Sequence, residues 1–249
     1  MKTFKKFLIA LIGAAVLVYT PGCFIDIDDD DNPFGCIDAN GSIVSEELNL
    51  SSFHSVELRV AGKVYIRQGT QQEVIVEAPR DLIRELELDV RNGLWEIETD
   101  RCVRYNNSDF TVYITIPDIR SLRVSGSGDI ISENTLRTGD LDLSVSGSGR
   151  IDAAVEADDI DANISGSGSI LLEGTADFLD FLISGSGDFK CFDLLATSAF
   201  ILISGSGDAE VNLSDSLDVK ISGSGDVFYK GNPSVNTQIS GSGRVINAN

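Results

Sequence analysis

The sequence predicts an all-β protein: a β-helix, or solenoid, of short coils that follows a β-rich N-terminal region. Two observations carry this prediction. The tetrapeptide SGSG occurs seven times at intervals of 18 to 21 residues, and it contains 14 of the 24 glycines. The residues one, three and five positions before most copies are apolar, and those between them are mostly polar. A period of about 19 residues with one strand pattern per period is typical of coils that stack in register.

The alternation also predicts how SGSG is placed within a coil. Carried forward, it puts both glycines on the buried side and the serines outside, and an apolar residue follows two positions after the last glycine. At about 3.3 Å per residue, one period forms about three short strands and their corners. Glycine on the inward face of a strand suits a bend or a close approach of the opposite wall. We expect SGSG to form a wall with few side chains, stacked on the same motif of the next coil. A calcium-binding nonapeptide roll stays open as a minor alternative, although its motif would be needed twice per coil.

The residues before the repeats have strand patterns without SGSG. The segment "LELDVRNGLWEIE" has two alternating runs around Asn92-Gly93, which is a strong hairpin signal. The segments "FHSVELRVAGKVYIRQG" and "DFTVYITIPDIRSLRV" indicate further strands. We predict a β-rich cap at residues 41–120, which covers the edge of the first coil, and the SGSG-repeat β-helix at residues 121–249.

The first residues resemble a bacterial lipoprotein signal. Three lysines precede an apolar run from Phe7 to Val18, and Thr20-Pro21-Gly22 then leads to Cys23. The run is short for a membrane span, so we predict a signal peptide at residues 1–22. Lipidation of Cys23 would anchor the protein without a transmembrane helix, and plain secretion is the alternative.

Five aspartates between Asp26 and Asp31 follow Cys23, and they predict an acidic, solvated tether at residues 23–40. Acidic residues at this place also resemble the surface-export signals of Bacteroidetes lipoproteins. The net charge of the chain is −20, and loss of the three signal lysines makes it −23. This charge argues against nucleic acid and anionic lipid as partners. Protein, glycan and divalent-cation partners stay open, and we expect contact with a membrane only through the lipid anchor.

The three remaining cysteines predict one disulfide and one buried thiol. An exported protein meets oxidising conditions, so we predict a Cys36–Cys102 disulfide that joins the tether to the first domain. Cys191 lies between two phenylalanines in "DFKCFDLL" and is expected to be a small buried hydrophobe. No CxxC pair supports a zinc site.

Taken in order, "FHSVELRVAGKVYIRQG", "VRNGLWEIE", "VYITIPDIRSLRVSGSGDI" and the repeated "ISGSGD" resemble the head GIN domain family of auto-transporter adhesins. The resemblance runs from about Ile43 to Asn249. It implies a β-helical lipoprotein of the cell envelope, of the Bacteroidetes type and without established catalysis. We accordingly expect anchoring to the outer membrane and exposure at the cell surface.

The residues themselves also argue against an enzyme. His54 is the one histidine, no serine lies in a Gly-x-Ser-x-Gly elbow, and the near-constant coil length leaves no room for long active-site loops. We therefore predict no catalytic residues and a non-catalytic adhesion or binding module. A self-associating structural protein of the envelope is the alternative, and a polysaccharide-processing β-helix enzyme is the third.

Two sets of outward residues are candidate sites. Asp188, Asp208 and Asp226 follow SGSG in successive coils, where water and salt would screen them or Ca²⁺ would bind between neighbouring coils. Calcium is thus the one cofactor that we consider. Leu182, Phe200 and Leu202 form an outward apolar stripe, which the same chain covers or which a partner, including a second copy, contacts.

Overall fold

The computed structural model describes residues 35–249. The predicted signal peptide at residues 1–22, Cys23 and the tether before Gly35 lie outside this range. Within it there are twenty strands, a short α-helix (α1, Arg80–Arg84) and one turn of 3₁₀-helix at Asn107–Asp109. None of the helices in this range is long and apolar enough to cross a membrane. The strands are β1 (Ile37–Asp38), β2 (Ile43–Glu47), β3 (Ser55–Leu58), β4 (Lys63–Gln68), β5 (Glu73–Pro79), β6 (Val90–Arg91), β7 (Leu94–Ile97), β8 (Val103–Arg104), β9 (Thr111–Ile116), β10 (Ser121–Gly126), β11 (Asp129–Ser132), β12 (Leu136–Arg137), β13 (Asp140–Gly147), β14 (Arg150–Gly166), β15 (Ser169–Gly185), β16 (Asp188–Gly205), β17 (Ala209–Gly223), β18 (Val227–Gly231), β19 (Ser234–Gly241) and β20 (Val245–Asn247).

The strands form a β-solenoid of about seven turns, which confirms the predicted fold class. β11, β12 and β13 each pair in parallel with a separate part of β14, so one turn contains three strand segments. In the following turns these segments join into the long strands β14 to β17. Successive turns place Ser over Ser and Gly over Gly at the first two positions of SGSG, as predicted.

The solenoid interior is filled by the apolar residues of the alternating pattern. From β13 to β17, every residue one, three or five positions before SGSG is at most 4% exposed. Phe181 and Phe189 stack on each other inside the coils, with ring centroids 4.2 Å apart. Alternation puts every second side chain inside, so the turns bury a continuous apolar column along the solenoid.

SGSG forms a corner of the coil, whereas the sequence had predicted a wall. Each long strand ends at the first glycine of the motif, whose φ lies between +125° and +150° in all seven copies. This backbone conformation favours glycine. The second glycine is buried, as predicted, but the first is only half-buried in most copies. A Cβ on the buried Gly187 would lie within 3.0 Å of the Gly168 carbonyl oxygen and of an Ile164 methyl group. The first glycine of the motif therefore allows the chain to change direction, and the second allows neighbouring turns to approach closely.

The parallel ladder begins before residue 121, so the predicted boundary between cap and β-helix divides a continuous sheet. β3 pairs in parallel with β10 and β7, and β4 pairs in parallel with β11 and β9. The antiparallel part of the cap is smaller: β5 lies between β2 and β9, and β6 and β7 form the predicted hairpin at Asn92-Gly93. In register with SGSG, the turn of β3 and β4 has the unrelated residues Arg59-Val60-Ala61-Gly62, so the motif did not reveal it.

A disulfide joins Cys36 to Cys102, with the two Cα atoms 4.5 Å apart. Next to it, β1 pairs with β8, and the Arg104 guanidinium donates to the Asp38 carboxylate at 2.7 Å. Ala39 is 3% exposed. The last residues of the predicted tether at 23–40 are therefore part of the folded unit.

The far end of the solenoid is formed by β19 and β20. β19 pairs with β17 on one side, and all eight of its residues are exposed. Val235 and Ile239 continue the inward-facing pattern of β17, yet they are 38% and 42% exposed. This last turn of the described chain thus leaves apolar side chains and the outer edges of β19 and β20 uncovered.

Candidate functional site

A shallow groove of about 520 Å³ runs along one wall of the solenoid, across the outward faces of β3, β10 and β13 and the second halves of β14 and β15. Its side chains alternate with inward residues such as Leu143 and Phe181, which fixes their direction. We call it the lateral groove. Its lining includes Glu57, Arg123, Ser125, Asp142, Asp161, Asp180 and Leu182.

The end of the lateral groove nearest the cap is a closed network of charges. Glu57 accepts hydrogen bonds from Arg59 Nε at 2.9 Å and from Ser125 Oγ at 2.8 Å. Arg59 also forms ion pairs with Glu96 and, at 3.0 Å, with Glu98. Burial opposes the ionisation of Glu57, but the hydrogen bonds from Arg59 and Ser125 outweigh it and hold the Glu57 pKa below its usual range. These groups satisfy one another, so this end of the groove is structural.

The middle of the lateral groove is a ladder of aspartates. Asp142, Asp161 and Asp180 lie directly beside one another on β13, β14 and β15. Burial, and then the neighbouring carboxylates of Asp180 and Asp142, raise the pKa of Asp161. The sequence analysis missed this aspartate ladder, although each member stands four positions before SGSG. The ladder gives the groove a strongly negative potential.

We expect Asp161→Asn to raise the melting temperature by about 1–2 °C at pH 7, because like charges side by side in a sheet are destabilising. The Asp161 pKa is raised in the folded state, so its charged form lowers stability above that pKa. The penalty disappears as the pH falls and the carboxyl is protonated. The gain in melting temperature should therefore vanish at about pH 3, below the usual pKa of an aspartate side chain.

Thermal unfolding followed by circular dichroism at both pH values tests this expectation. Asp177→Asn, on the neighbouring strand β15 and outside the aspartate ladder, is the control. An equal gain from the control, or a lower melting temperature for Asp161→Asn, would contradict the proposed repulsion.

The far end of the lateral groove is apolar. Leu182 and Leu202 are register neighbours on β15 and β16, and Phe200 lies two residues before Leu202. The structure thus brings the three predicted outward residues together, and it adds Phe178, which the sequence analysis missed. Phe178 and Leu182 are 39% and 37% exposed, and Phe200 and Leu202 are half-buried. We call these four side chains the apolar belt.

A basic side chain borders the apolar belt. The Lys220 ammonium lies 5.3 Å from the centroid of the Phe200 ring, within the range of a cation–π contact. Lys220 is also the register neighbour of Leu202 on the next turn. Along one wall, the molecule therefore presents the aspartate ladder, then the apolar belt, then a turn that carries both Lys220 and Asp218, the register neighbour of Phe200. Within the belt, Asp180 lies between Phe178 and Leu182 on the same face of β15.

Asp188, Asp208 and Asp226 form a column outside the lateral groove. Oδ1 of Asp188 accepts the backbone N–H of Asp208 at 3.2 Å, and Oδ1 of Asp208 accepts that of Asp226 at 2.7 Å. Asp226 in turn accepts the N–H of Arg244 and pairs with its guanidinium, which lowers the Asp226 pKa. Each carboxylate thus binds the backbone of the next turn. Among residues 35–249, no group of three or more His, Cys, Asp or Glu side chains is placed to hold a metal ion. Calcium binding by these aspartates stays a prediction.

The two other reactive side chains considered from sequence lie away from the lateral groove. His54 immediately precedes β3, and its Nδ1 is 2.9 Å from Ser55 Oγ. Cys191 is fully buried, as predicted, and burial raises the pKa of its thiol. Neither residue lines the groove.

The fold is shared with several solved structures. A "putative adhesin" from Bacteroides fragilis is 24% identical, with a TM-score of 0.78 over 85% of this chain and 99% of that one. A "putative lipid binding protein" from Parabacteroides distasonis is 23% identical, with a TM-score of 0.73 over 86% of this chain and 100% of that one. A "putative adhesin" from the same species is 24% identical, with a TM-score of 0.69 and the same coverage.

No curated protein matches the chain. Residues 52–233 match the family model described as "Putative auto-transporter adhesin, head GIN domain". This match covers the cap from residue 52 onward, the charged network, the aspartate ladder and the apolar belt, and it confirms the resemblance seen in the order of the sequence motifs. Since it spans well over half of the chain, the protein belongs to the head GIN domain family of auto-transporter adhesins.

Proposed function

We propose that this protein is a non-catalytic binding module of the cell surface that contacts a partner protein through the apolar belt and the aspartate ladder. The observation that carries the proposal is the exposure of Phe178 and Leu182 next to three carboxylates on one straight wall. Exposed apolar side chains that lie together, rimmed by polar groups, mark interaction sites.

The hydrogen-bonded structure of the wall favours binding. From β13 to β16, each strand has a hydrogen-bonded partner on both sides, so the outward residues are held in place before any partner arrives. Binding to a preformed surface avoids much of the entropy loss of ordering. The large apolar side chains would supply most of the affinity, because a few buried anchors dominate interface energies.

The charges of the lateral groove restrict which partner surfaces can bind. Asp142, Asp161 and Asp180 would attract a basic surface and reject an acidic one. Apolar side chains from the partner would pack on the belt, whose Phe200 is already approached by Lys220. We therefore propose a partner that combines an apolar patch with lysine or arginine side chains.

The predicted lipid anchor would place this wall at the cell boundary. The family description names an adhesin, which supports a place at the cell surface. The signal at residues 1–22 and lipidation of Cys23 would tether the folded unit to the outer membrane through the acidic residues after Cys23. We propose that the module faces outward from that membrane.

One similar structure is described as a lipid-binding protein, and the apolar belt gives lipid binding some physical basis here. The net charge of −20 would restrict such binding to neutral or zwitterionic lipid. Phosphatidylcholine vesicles therefore form a separate arm of the test.

The test compares wild-type protein with Leu182→Asp in binding to immobilised fibronectin, collagen and mucin and to phosphatidylcholine vesicles. We expect micromolar binding to at least one immobilised protein, and a loss of about tenfold or more in the variant, as for other interface anchors. Thr175→Asp is the matched control, since Thr175 is exposed on the same strand but outside the apolar belt. It should bind within about twofold of wild type.

Three outcomes would count against the proposal. Binding to vesicles alone would favour the lipid function. Equal losses of binding in Leu182→Asp and Thr175→Asp would show a general effect of added charge. The absence of binding to every probe would contradict the proposed protein partner of the apolar belt. Circular dichroism of each variant verifies that it is folded.

A further inference from the structure

The last turn of the solenoid differs from the rest of the molecule in charge. The chain has 39 aspartates and glutamates, yet none occurs after Asp226. Within β19 itself there is no charged residue of either sign. Most of the surface of a second copy would repel this protein, but the turn formed by β19 and β20 would not.

The free edge of β19 also lacks the features that usually block strand pairing. Protected edge strands carry lysine, proline, a bulge or an inward charge, or they are very short. β19 has eight residues in unbroken register with β17 and none of these features. Its second edge is therefore a regular row of backbone donors and acceptors.

Apolar side chains at this end are incompletely buried. Val235 and Ile239 stand in register with Leu217 and Ile221, which are 0% and 2% exposed. The difference arises because the interior positions of every earlier turn are covered by the turn that follows. Val235 and Ile239 have no such cover in the described structure, so a further layer would bury them.

We propose that β19 pairs with β19 of a second copy, antiparallel and about a two-fold axis at Thr237. Directly opposed residues of an antiparallel pair face the same side of the sheet. With the axis at Thr237, Val235 lies opposite Ile239 of the second copy, so both apolar pairs extend the interior. Asn236 then lies opposite Gln238, which pairs two amides on the outer face.

A second copy suits this end better than a partner of another kind. The pairing brings no like charges together, and each copy presents the same neutral strand. A two-fold arrangement pairs the free β19 edge of one copy with the free β19 edge of the other and closes, so it gives a dimer and not a fibre. The apolar belt lies on the lateral wall and stays available, so the dimer goes beyond the proposed binding function and does not depend on it.

The first test measures the mass of the purified chain in solution by light scattering at its highest soluble concentration. We expect twice the chain mass for wild type, and a monomer for Thr237→Lys, which opposes two lysines at the axis. Thr175→Lys, with the same substitution on another wall of the solenoid, away from β19, should stay dimeric. A monomeric wild type, a dimeric Thr237→Lys or a monomeric Thr175→Lys would overturn the proposal.

The second test fixes the register by disulfide cross-linking, with Cys23→Ser in every variant. Thr237→Cys should cross-link two chains, because opposed Cα atoms in an antiparallel pair lie about 4.5–5.5 Å apart. Ser234→Cys should not, since the two copies of that residue would be about 20 Å apart. Equal cross-linking of both variants, or none in either, would overturn the pairing at Thr237. Neither result depends on the adhesion assay.

Discussion

Gly185→Ala is expected to lower the melting temperature by about 10 °C, which corresponds to about 3–5 kcal/mol in a protein of this size. Gly185 is the first glycine of the fourth SGSG, with φ at +143°. An alanine there would enter a left-handed backbone region that L residues avoid, and its Cβ would collide with the Gly166 carbonyl oxygen of the preceding turn. The Gly166 carbonyl group cannot move freely to relieve this collision, because it belongs to the backbone of the stacked corners.

Thermal unfolding of Gly41→Ala provides the matched control. A Cβ on Gly41 would have no atom within 4 Å, so this substitution should change the melting temperature by less than about 2 °C. Similar melting temperatures for the two variants would mean that the corner relaxes easily, against the tight stacking described above.

Phe181→Ala is expected to lower the free energy of unfolding by about 3–5 kcal/mol, as for other fully buried aromatic residues. Phe181 is 0% exposed and stacks on Phe189, so its truncation would leave a cavity inside the coils and remove an aromatic contact. Urea or guanidinium denaturation measures the change directly.

Phe178→Ala is the control that separates the effect of a buried phenylalanine from that of an exposed one. Phe178 lies three residues earlier on the same strand, but it points outward and is 39% exposed. Its truncation should lower the free energy of unfolding by about 1 kcal/mol or less. A larger effect for Phe178 than for Phe181 would show that the strand faces are assigned the wrong way round.

The repeated part of the fold could be predicted because its determinants are local. Alternation within β13 to β17 fixed the buried face, and the spacing of SGSG fixed which residues stack on one another. The sequence suggested a bend at SGSG but favoured a wall, because the formation of a corner depends on how the coil closes. A positive φ at Gly185 and the nearness of Gly166 follow from the geometry of two turns, and a linear pattern of small residues suits a wall equally well.

The N-terminal part was harder because its neighbours are distant along the chain. Glu57, Arg59 and Glu96 meet because β3 pairs with β7. No sequence repeat indicates this pairing. The turn at residues 59–62 stacks on SGSG without sharing its letters, which led to the boundary at residue 121.

The apolar end and the middle of the lateral groove differ in how much of them the sequence predicted. Leu182 and Leu202 were placed together correctly, since the repeat period gives their register. The aspartate ladder was equally accessible from that period, but it becomes visible only when the fourth residue before each motif is compared across turns. The exposed fractions of Phe178 and Leu182 depend on neighbouring side chains in three dimensions, so sequence could not supply them.

The in-register stacking of corners has a genetic consequence. Each turn from β14 to β17 contacts mainly the turn about 18 to 20 residues before it and the one after it. Deletion or duplication of one whole period between two SGSG segments therefore rejoins compatible strands and leaves the cap unchanged. Homologous genes are thus expected to differ in whole periods, which would lengthen or shorten the rod in steps of about 4.8 Å.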